Sequence, residues 1–348
     1  MTQSDDANPH FSQFLELFCA ELDVDYSIAM KSGYLITVLI PCHSLHYLPD
    51  SIESIARQTL PTSEFEVLLV ADRIDLEVAE QILISSGLNF RIIESQQPGI
   101  VPALNLGLEK ITSEFVARMD EDDLMTPDRL ELQYQYMQKN SALLAVGGQL
   151  QLIDADGKAI GIANYRRKVS RFSVRIFESS PIAHPAAMFR RKAVEQIGRY
   201  RDFLPEDWDL WVRLSEIGPV ENLKESVLRY RVHPNQLSRE KMYAQYLGRQ
   251  FVSTSYFARE SGLRDAPTAS EDKSAWLEET QRQLRIISQA FRQFENRSQK
   301  NTLINEAFQI GREQQLLQKV LLMLIRYPVV TSSILLTKIM RKIRVISR

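Results

Sequence analysis

The sequence predicts an α/β protein with a mostly parallel sheet, helices on both faces of that sheet, and a helical C-terminal region. Three observations support this class. Short apolar, β-branched segments alternate with segments of helical periodicity from residue 34 to the acidic residues 120–123. The strand segments are continuously apolar, which is typical of parallel strands buried on both faces. Beyond residue 239, long polar–apolar patterns with helical spacing replace the alternation.

The first part of the chain is predicted to be a leader over residues 1–33. Its segment "HFSQFLELFCAEL" (10–22) has apolar residues at helical spacing, and Gly33 ends it. Four strands are predicted next, each followed by a helix or by a polar cluster. They are "YLITVLIPCH" (34–43), "FEVLLVAD" (65–72), "FRIIES" (90–95) and "EFVARMD" (114–120). Helices are expected from Leu48 to Thr59, from Leu76 to Gly87 and from Val101 to Ile111.

The second part of the chain is predicted to add a helix after Thr126-Pro127-Asp128, a strand, and an Asp156-Gly157 hairpin turn. Later elements are a strand in "HPAAMFRR", a helix over 205–218, a strand and loop over 226–238, and helices over 240–258, 271–296 and 300–326. The predicted organisation is therefore a leader (1–33), a sheet domain (34–238) and a helical C-terminal region (239–348).

Composition excludes several classes of protein. The chain has 348 residues, 44% hydrophobic and 25% charged, with a net charge of −2, which is typical of a globular protein and gives no reason to expect nucleic acid as a partner. Two cysteines form neither a disulfide framework nor a metal motif, so a reducing compartment is expected. The acidic N-terminus is unlike a signal peptide, and no apolar run reaches the roughly 18 residues of a membrane span. A cytoplasmic location is therefore predicted.

The polar ends of the predicted strands indicate a ligand site. Ligands of parallel sheets bind at the carboxyl ends of the strands, where His43, Asp72 and the acidic residues 120–123 are expected. No G-x-G-x-x-G follows the first strand, and no G-x-x-x-x-G-K-[ST] occurs, which argues against a dinucleotide oxidoreductase and a P-loop nucleotidase. Asp120 and Asp122 offer hard oxygen ligands that suit Mg²⁺ or Mn²⁺. The alternative is a solvated acidic turn that caps the next helix.

Six segments, in order, resemble motifs of the family 2 inverting glycosyltransferases of the GT-A fold. They are "VLIPCHS", "LLVADRID", "GIVPALNLG", "RMDEDD", "EDWDLWVRL" and "YRVHPNQLS". The resemblance covers about residues 35–238 and implies a Rossmann-like nucleotide-sugar domain. It implies that Asp120 helps to hold the ribose and the metal, that Asp122 is the direct metal ligand and that His233 completes the metal shell. The implied cofactor is Mn²⁺ or Mg²⁺.

The same resemblance assigns the remaining site residues. Asp207 matches the general base, and Asp72 matches an acid that approaches the nucleobase. The other residues implied in donor binding are Pro41, His43 and Asn105. Residues without the family's usual side chains surround the expected nucleotide pocket, and they leave the nucleobase open, with UDP favoured. These are Ala71 for an acid, Arg73 for a glycine, Leu104 for an arginine and His43 for a tyrosine.

Several of these residues also have ordinary structural interpretations. Glu206 and Asp207 are typical acids of a helix start, and His233 before a proline fits a plain loop. His184 matches a family position, and a structural role is favoured for it. Trp208 and Trp211 are open between core and acceptor platform, with the core favoured for Trp211.

The predicted function is a metal-dependent inverting glycosyltransferase that moves a sugar from a nucleotide-diphospho-sugar to a hydroxyl of a glycan or a lipid-linked acceptor. The main alternative is a non-catalytic protein that binds sugar nucleotide or scaffolds a glycan-assembly complex. A nucleotidyltransferase is disfavoured because "PCHSLHYLPD" lacks a Gly/Arg/Lys-rich loop. The sugar, the acceptor and a homo-oligomeric state are left open.

The C-terminal end is strongly basic. Residues 312–348 contain eight Lys and Arg and one acid, so this tail carries +7 and the preceding residues −9. Read as one helix, residues 334–348 separate an apolar side from a basic side, the pattern of a helix that lies in a membrane interface. A peripheral position on an anionic inner membrane face is therefore expected, with packing on the domain or on another subunit as the alternative.

Overall fold

The computed structural model describes residues 33–169, 180–202, 205–233, 251–259, 263–266 and 275–284. The predicted leader helix at 10–22, the predicted helix at 300–326 and the basic tail lie outside these residues. Within them, ten strands form one mixed sheet with the order β3-β2-β1-β4-β9-β6-β10-β5, while β7 pairs with β6 and β8 with β10. The strands are β1 Ile36–Cys42, β2 Phe65–Ala71, β3 Phe90–Glu94, β4 Phe115–Arg118, β5 Leu124–Met125, β6 Ala145–Ile153, β7 Ala159–Ala163, β8 Lys168–Val169, β9 Met188–Arg190 and β10 Val220–Arg231.

The predicted parallel arrangement is confirmed for the first four strands, because β3, β2, β1 and β4 all pair in parallel. Strands β6 and β10 form a further parallel pair, and the short antiparallel strand β9 joins β6 to β4. Every residue of β1 and of β2 is buried, as their largely apolar sequences predict.

Helices cover both faces of the sheet. They are α1 Leu48–Ala56, α2 Leu76–Ser86, α3 Ile100–Lys110, α4 Arg129–Lys139, α5 Arg191–Gln196 and α6 Glu206–Ile217. Alternate residues of the strands face opposite sides: Val38 packs in one core with α1, α2 and α4, whereas Leu39 packs in a second core with α3, α5 and α6. The two-layer helical cover that the sequence predicts is therefore present.

Most differences from the predicted elements concern short or late strands. The segment "HPAAMFRR" begins as a 3₁₀ turn at His184–Ala186 and becomes a strand only at Met188, and the short helix α5 follows it. Strand β10 begins at Val220, six residues before the predicted start, because it pairs along the length of β6. Two-residue strands such as Leu124–Met125 carry too little sequence pattern to be recognised.

Two helical segments lie beyond the sheet domain, at residues 251–259 and 275–284. The first packs on α6, where Val252 and Tyr256 join Trp208 and Val212 in a separate apolar cluster. No helix among the described residues is long and apolar enough to cross a membrane.

Candidate functional site

The candidate site lies at the carboxyl ends of β1, β2 and β4, where the sequence predicted it. Parallel pairing places Cys42 beside Ala71 and aligns Leu39 of β1 with Arg118 of β4. The next residues of each strand, His43, Asp72 and the acidic cluster, therefore leave the sheet at one edge.

Three carboxylates of the acidic cluster converge. Asp120, Asp122 and Asp123 each offer one oxygen, and these oxygens lie within 4.8 Å of one another. We call these residues the acidic triad. Glu121 points elsewhere and pairs with His43. Asp120 and Asp122 are the predicted metal ligands, and Asp123 is a third carboxylate to which the sequence analysis gave no role.

The burial of the acidic triad fits a cation. Burial, with the charge of Asp120 adding to it, raises the pKa of Asp122 to about 6 and that of Asp123 well above the usual value. The Oδ2 atom of Asp123 is buried and has no hydrogen-bond partner among the described residues. Repulsion between three half-buried or buried carboxylates is unfavourable, and a divalent cation with hard oxygen ligands would offset it. The residues present therefore fit Mn²⁺ or Mg²⁺.

His233 lies beside the acidic triad although it is distant in sequence. Its Nε2 atom is 2.8 Å from Oδ2 of Asp122, and its ring lies 5.5 Å from the ring of Tyr47. The end of strand β10 positions His233. The backbone N–H of Arg231 donates to Oδ1 of Asp123 at 2.8 Å, which holds this strand end against the triad. The imidazole is thus close enough to share a cation with Asp122.

A buried arginine, Arg118, forms an ion pair with Asp120. Arg118, 2% exposed, is the last residue of β4, and its Nη2 atom pairs with Oδ1 of Asp120. Its Nε and Nη1 atoms are buried without a hydrogen-bond partner in the part of the chain that the structure describes. The sequence analysis missed Arg118. The signal was a charged residue inside the apolar strand "EFVARMD".

His43 is held at the rim of the site by Glu121. The Nδ1 atom of His43 is 2.5 Å from Oε1 of Glu121, and its backbone N–H donates to the same oxygen at 3.3 Å. The hydrogen bond to Glu121 raises the pKa of His43 to about 9, against a smaller opposite effect of burial. The ring is otherwise exposed, so a protonated imidazole faces solvent beside the triad.

Asp72 is buried and already has two partners. Its Oδ2 atom accepts from the backbone N–H of Gly99 at 2.9 Å, and its Oδ1 atom accepts from Nε of Arg73 at 2.9 Å. Burial raises the pKa of Asp72, but these hydrogen bonds outweigh burial and the pKa falls below the usual value. Arg73 has a left-handed backbone (φ 57°), so the chain keeps the turn that the family's glycine would favour.

Two further predicted donor-binding residues have clear structural contacts. Asn105 of α3 donates to the backbone oxygen of Tyr200 at 2.9 Å and accepts from its N–H at 3.1 Å. Pro41 is buried within β1 and lies next to Val70 of β2. Leu104, where the family has an arginine, is fully buried in the core.

Asp207, the predicted base, lies in the first turn of α6 and is half-buried. Its Oδ2 atom accepts from the hydroxyl of Ser180 at 3.0 Å. Its place at a helix start predicts that this carboxylate stays ionised. Burial and the charge of Glu206 outweigh the helix N–H of Trp208 and raise the pKa of Asp207. A raised pKa makes the carboxylate a stronger proton acceptor once it is ionised.

Both tryptophans of α6 belong to the core. Trp211 is fully buried in the core on its face of the sheet, as expected. Trp208, 3% exposed, packs on the helical segment 251–259, so it presents no surface to an acceptor.

Comparisons with known proteins agree with this geometry. Residues 37–198 match the family described as Glycosyl transferase family 2. The O-antigen biosynthesis glycosyltransferase WbnJ of Escherichia coli is 34% identical over 220 residues, which cover 61% of this chain and 85% of WbnJ. The similarity therefore covers most of that relative's length.

Solved structures show the same fold at low identity. TarS of S. aureus (residues 1–349, in complex with UDP-GlcNAc) aligns with a TM-score of 0.51 and 16% identity, covering 83% of this chain and 79% of TarS. The mannosyltransferase PcManGT from Pyrobaculum calidifontis, in complex with GDP-Man and Mn²⁺, aligns with a TM-score of 0.50 and 17% identity, covering 74% and 77%. The architecture is that of GT-A glycosyltransferases, and by its sequence the chain belongs to glycosyltransferase family 2.

Proposed function

We propose that this protein is a metal-dependent inverting glycosyltransferase of polysaccharide biosynthesis. It transfers a sugar from a nucleotide-diphospho-sugar to a hydroxyl of a glycan or of a lipid-linked acceptor. The observation that carries the proposal is the convergence of the acidic triad with His233 at the strand edge, while Asp207 lies at the start of α6.

The acidic triad and His233 would hold the donor's cation. Asp122 would be the direct ligand, and Asp120 would also hold the ribose, as the resemblance to the family implies. Mn²⁺ or Mg²⁺, when bound, offsets the charge of the departing nucleoside diphosphate. The protonated His43 and the guanidinium of Arg73 add positive charge at the rim, where the donor's phosphates enter. Pro41, Asp72 and Asn105 shape the pocket of the nucleoside.

Asp207 is the general base of the proposed reaction. Its carboxylate takes the proton of the acceptor hydroxyl as that oxygen bonds to the anomeric carbon, and the nucleoside diphosphate leaves from the opposite side. One displacement inverts the anomeric configuration. The hydrogen bond from Ser180 and the helix start orient the carboxylate for this step.

A uridine nucleotide is the favoured donor. UDP-GlcNAc is bound in the structure of TarS, whereas PcManGT holds GDP-Man, so the shared fold accepts both bases. In this chain Arg73 already engages Asp72, and the nucleobase must therefore fit beside an occupied carboxylate. Competition between UDP- and GDP-hexoses in one transfer assay would identify the base.

The decisive experiment removes one metal ligand. Asp122→Ala should abolish Mn²⁺-dependent binding of UDP and sugar transfer while the protein stays folded, and a chelator should have the same effect on the wild type. Asp156→Ala is the matched control, because Asp156 lies in an exposed hairpin turn within another Asp-x-Asp. Retention of Mn²⁺-dependent UDP binding by Asp122→Ala would contradict the metal site.

The alternative, a non-catalytic sugar-nucleotide-binding or scaffold protein, is favoured by the residues that replace the family's side chains around the nucleotide pocket, Ala71, Arg73 and Leu104. It predicts tight donor binding with no turnover by the wild type. A screen of nucleotide sugars with Mn²⁺, monitoring both binding and release of nucleotide, separates the two functions.

The basic tail is proposed to hold the enzyme on an anionic membrane face. Each cation near such a surface contributes about 1 kcal/mol. Residues 334–348, outside the described residues, would place one apolar side in the interface. Sedimentation with anionic vesicles should retain the full chain and release a chain that ends at Tyr327. Equal behaviour of both at low salt would instead favour packing within the protein or between subunits.

A further inference from the structure

A buried polar network lies between the acidic triad and the base helix α6. His184 contacts Tyr200 and Glu206, and the guanidinium of Arg118 lies close enough for its charge to act on all three; we call these four residues the His184 network. The Nε2 atom of His184 is 2.9 Å from the hydroxyl of Tyr200, and its Nδ1 atom is 3.4 Å from Oε1 of Glu206. All four side chains are buried. His184 is buried, and both of its ring nitrogens lie beside protein partners.

The contacts define the protonation of His184. Burial raises the pKa of the Tyr200 phenol, so its hydroxyl keeps the proton and is able to donate it to Nε2. The oxygen of an ionised Glu206 can only accept, which favours this direction, with the hydrogen of His184 on Nδ1. Burial, with the charge of Arg118, lowers the pKa of His184 to about 3, so the ring is neutral. A neutral imidazole that accepts at Nε2 carries its hydrogen on Nδ1. That hydrogen faces the carboxylate of Glu206, the partner for which an N–H is suited.

The turn that carries His184 is fixed to the sheet. The guanidinium of Arg129 donates to the backbone oxygen of Pro185 at 2.8 Å, and the side-chain amide of Gln133 donates to that of Ala186 at 2.8 Å. The backbone N–H of Arg118 donates to the oxygen of Ala187 at 2.9 Å. The imidazole therefore projects from a rigid support.

The network reaches both halves of the candidate site. Glu206 is the first residue of α6 and directly precedes Asp207, and the helix has no side-chain cap at Pro205. Arg118 pairs with Asp120 of the acidic triad, and its charge also acts on Glu206. His184 contacts the one turn of α6 that must be oriented for the base to act.

We propose that His184 is a positioning residue, which orients Asp207 by holding Glu206 and so fixes the base relative to the acidic triad. The inference rests on the proposed function and deepens it. His184 touches no reacting atom and exchanges no proton. Its effect on the rate comes through the geometry of the first turn of α6, where a displacement of about 1 Å can reduce a rate about 100-fold.

Two conservative substitutions separate the two ring nitrogens. His184→Asn can place an amide N–H near the Nδ1 position and keep the contact with Glu206. His184→Gln can place an amide near the Nε2 position and keep the contact with Tyr200 alone. We expect His184→Asn to retain most of the kcat, and His184→Gln to lower the kcat about 10- to 100-fold. The KM for the donor and the affinity for UDP with Mn²⁺ should change little in both.

Tyr200→Phe is the matched control. It removes the hydrogen bond on the opposite side of the same ring and leaves the contact with Glu206 in place. We expect it to lower the Tm as much as His184→Gln does, while the kcat remains near that of the wild type. A role limited to stability would instead make the kcat follow the Tm across all three variants.

Glu206→Ala removes the contact between His184 and Glu206 by truncating Glu206 instead of His184. If His184 acts through Glu206, the loss of kcat in the double variant His184→Gln/Glu206→Ala should equal the larger single loss instead of their product. Multiplicative losses, or a His184→Gln protein as fast as the wild type, would overturn the inference alone. A wild-type protein that binds donor but transfers nothing would instead contradict the proposed function.

Discussion

Individual residues of the site combine opposite electrostatic effects. Two carboxylates of the site form ion pairs with arginine side chains: Asp120 pairs with Arg118, and Asp72 pairs with Arg73. Burial and mutual repulsion instead raise the pKa of Asp122 and Asp123. Asp122 and Asp123 are thus the carboxylates that a metal ion would relieve, whereas the raised pKa of Asp207 suits a proton acceptor.

At Asp207, replacement by Asn should leave donor binding near normal and lower transfer about 10²- to 10⁴-fold, the size of a general-base effect. Because burial and Glu206 raise the pKa of Asp207 above its usual 3.8, the acid limb of the wild-type pH–rate profile should lie above that value. Initial rates with saturating donor measure the loss in the Asp207→Asn variant, and their dependence on pH gives the acid limb of the wild type. A loss below tenfold, or a product of retained configuration, would exclude Asp207 as the base, and Asp156→Asn should leave the rate unchanged.

At His43, stability should depend on pH. The pKa of His43 is raised from 6.5 to about 9 in the fold, so protonation stabilises the folded state fully below pH 6.5, and this contribution disappears as the pH rises through about 9. The Tm of His43→Ala should therefore fall below that of the wild type at pH 6 and approach it at pH 10. A Tm difference that is constant across this range would contradict the pairing with Glu121. His46→Ala is the exposed control.

Among the elements, the long βα pattern was predictable and the late strands were not. Apolar runs such as 67–71 of β2, alternating along the chain with helical patterns, are typical of a sheet covered on both faces. Strand β9 has three residues and β8 has two, so their pairing is decided by neighbours distant in sequence. Likewise, Asp120 and Asp122 were recognisable because they follow a strand, whereas the support by Arg118 depends on tertiary burial.

Strand β6 should tolerate no side chain at Gly147. A Cβ there would lie 2.3 Å from Oδ1 of Asn222 and 2.7 Å from Cγ2 of Ile182. Asn222 cannot move freely, because its amide donates to the backbone oxygens of Arg166 and Pro181. We expect Gly147→Ala to lower the free energy of unfolding by about 1–3 kcal/mol. Urea denaturation measures this free energy. Gly161→Ala in β7 is the control and should leave the free energy of unfolding nearly unchanged, because its Cβ would lie 3.7 Å from the nearest atom, Cδ1 of Leu152.

On the scale of the whole molecule, the C-terminal helical segment 251–259 supports the base helix. Tyr256 packs with Trp208 and Val212, and the guanidinium of Arg259 contacts both oxygens of Glu216 on α6. The domain boundary near residue 238 therefore remains a prediction, since this contact crosses it.

In the full chain, Tyr256→Ala should lower the free energy of unfolding by about 3 kcal/mol, because it leaves a cavity against Trp208. Ile217→Ala, at an exposed position of α6, is the control. Its free energy of unfolding should stay within about 0.5 kcal/mol of that of the wild type. Thermal and urea unfolding of the two variants provide the comparison. Equal stability of the Tyr256 variant and the wild type would show that segment 251–259 does not support α6.

The fully buried Arg129 has a consequence for motion during turnover. Its guanidinium binds the backbone oxygens of Arg118, Pro185 and Ala187, so it ties β4 to the turn of His184 without any exposed atom. Within this buried arrangement the backbone N–H of Arg118 donates to the oxygen of Ala187, so its hydrogen should exchange only when a large part of the fold opens. The backbone of β4 and of the His184 turn should therefore keep its position when substrates bind and leave. The side chains of His43 and Arg73, by contrast, are exposed and lie at the rim of the site.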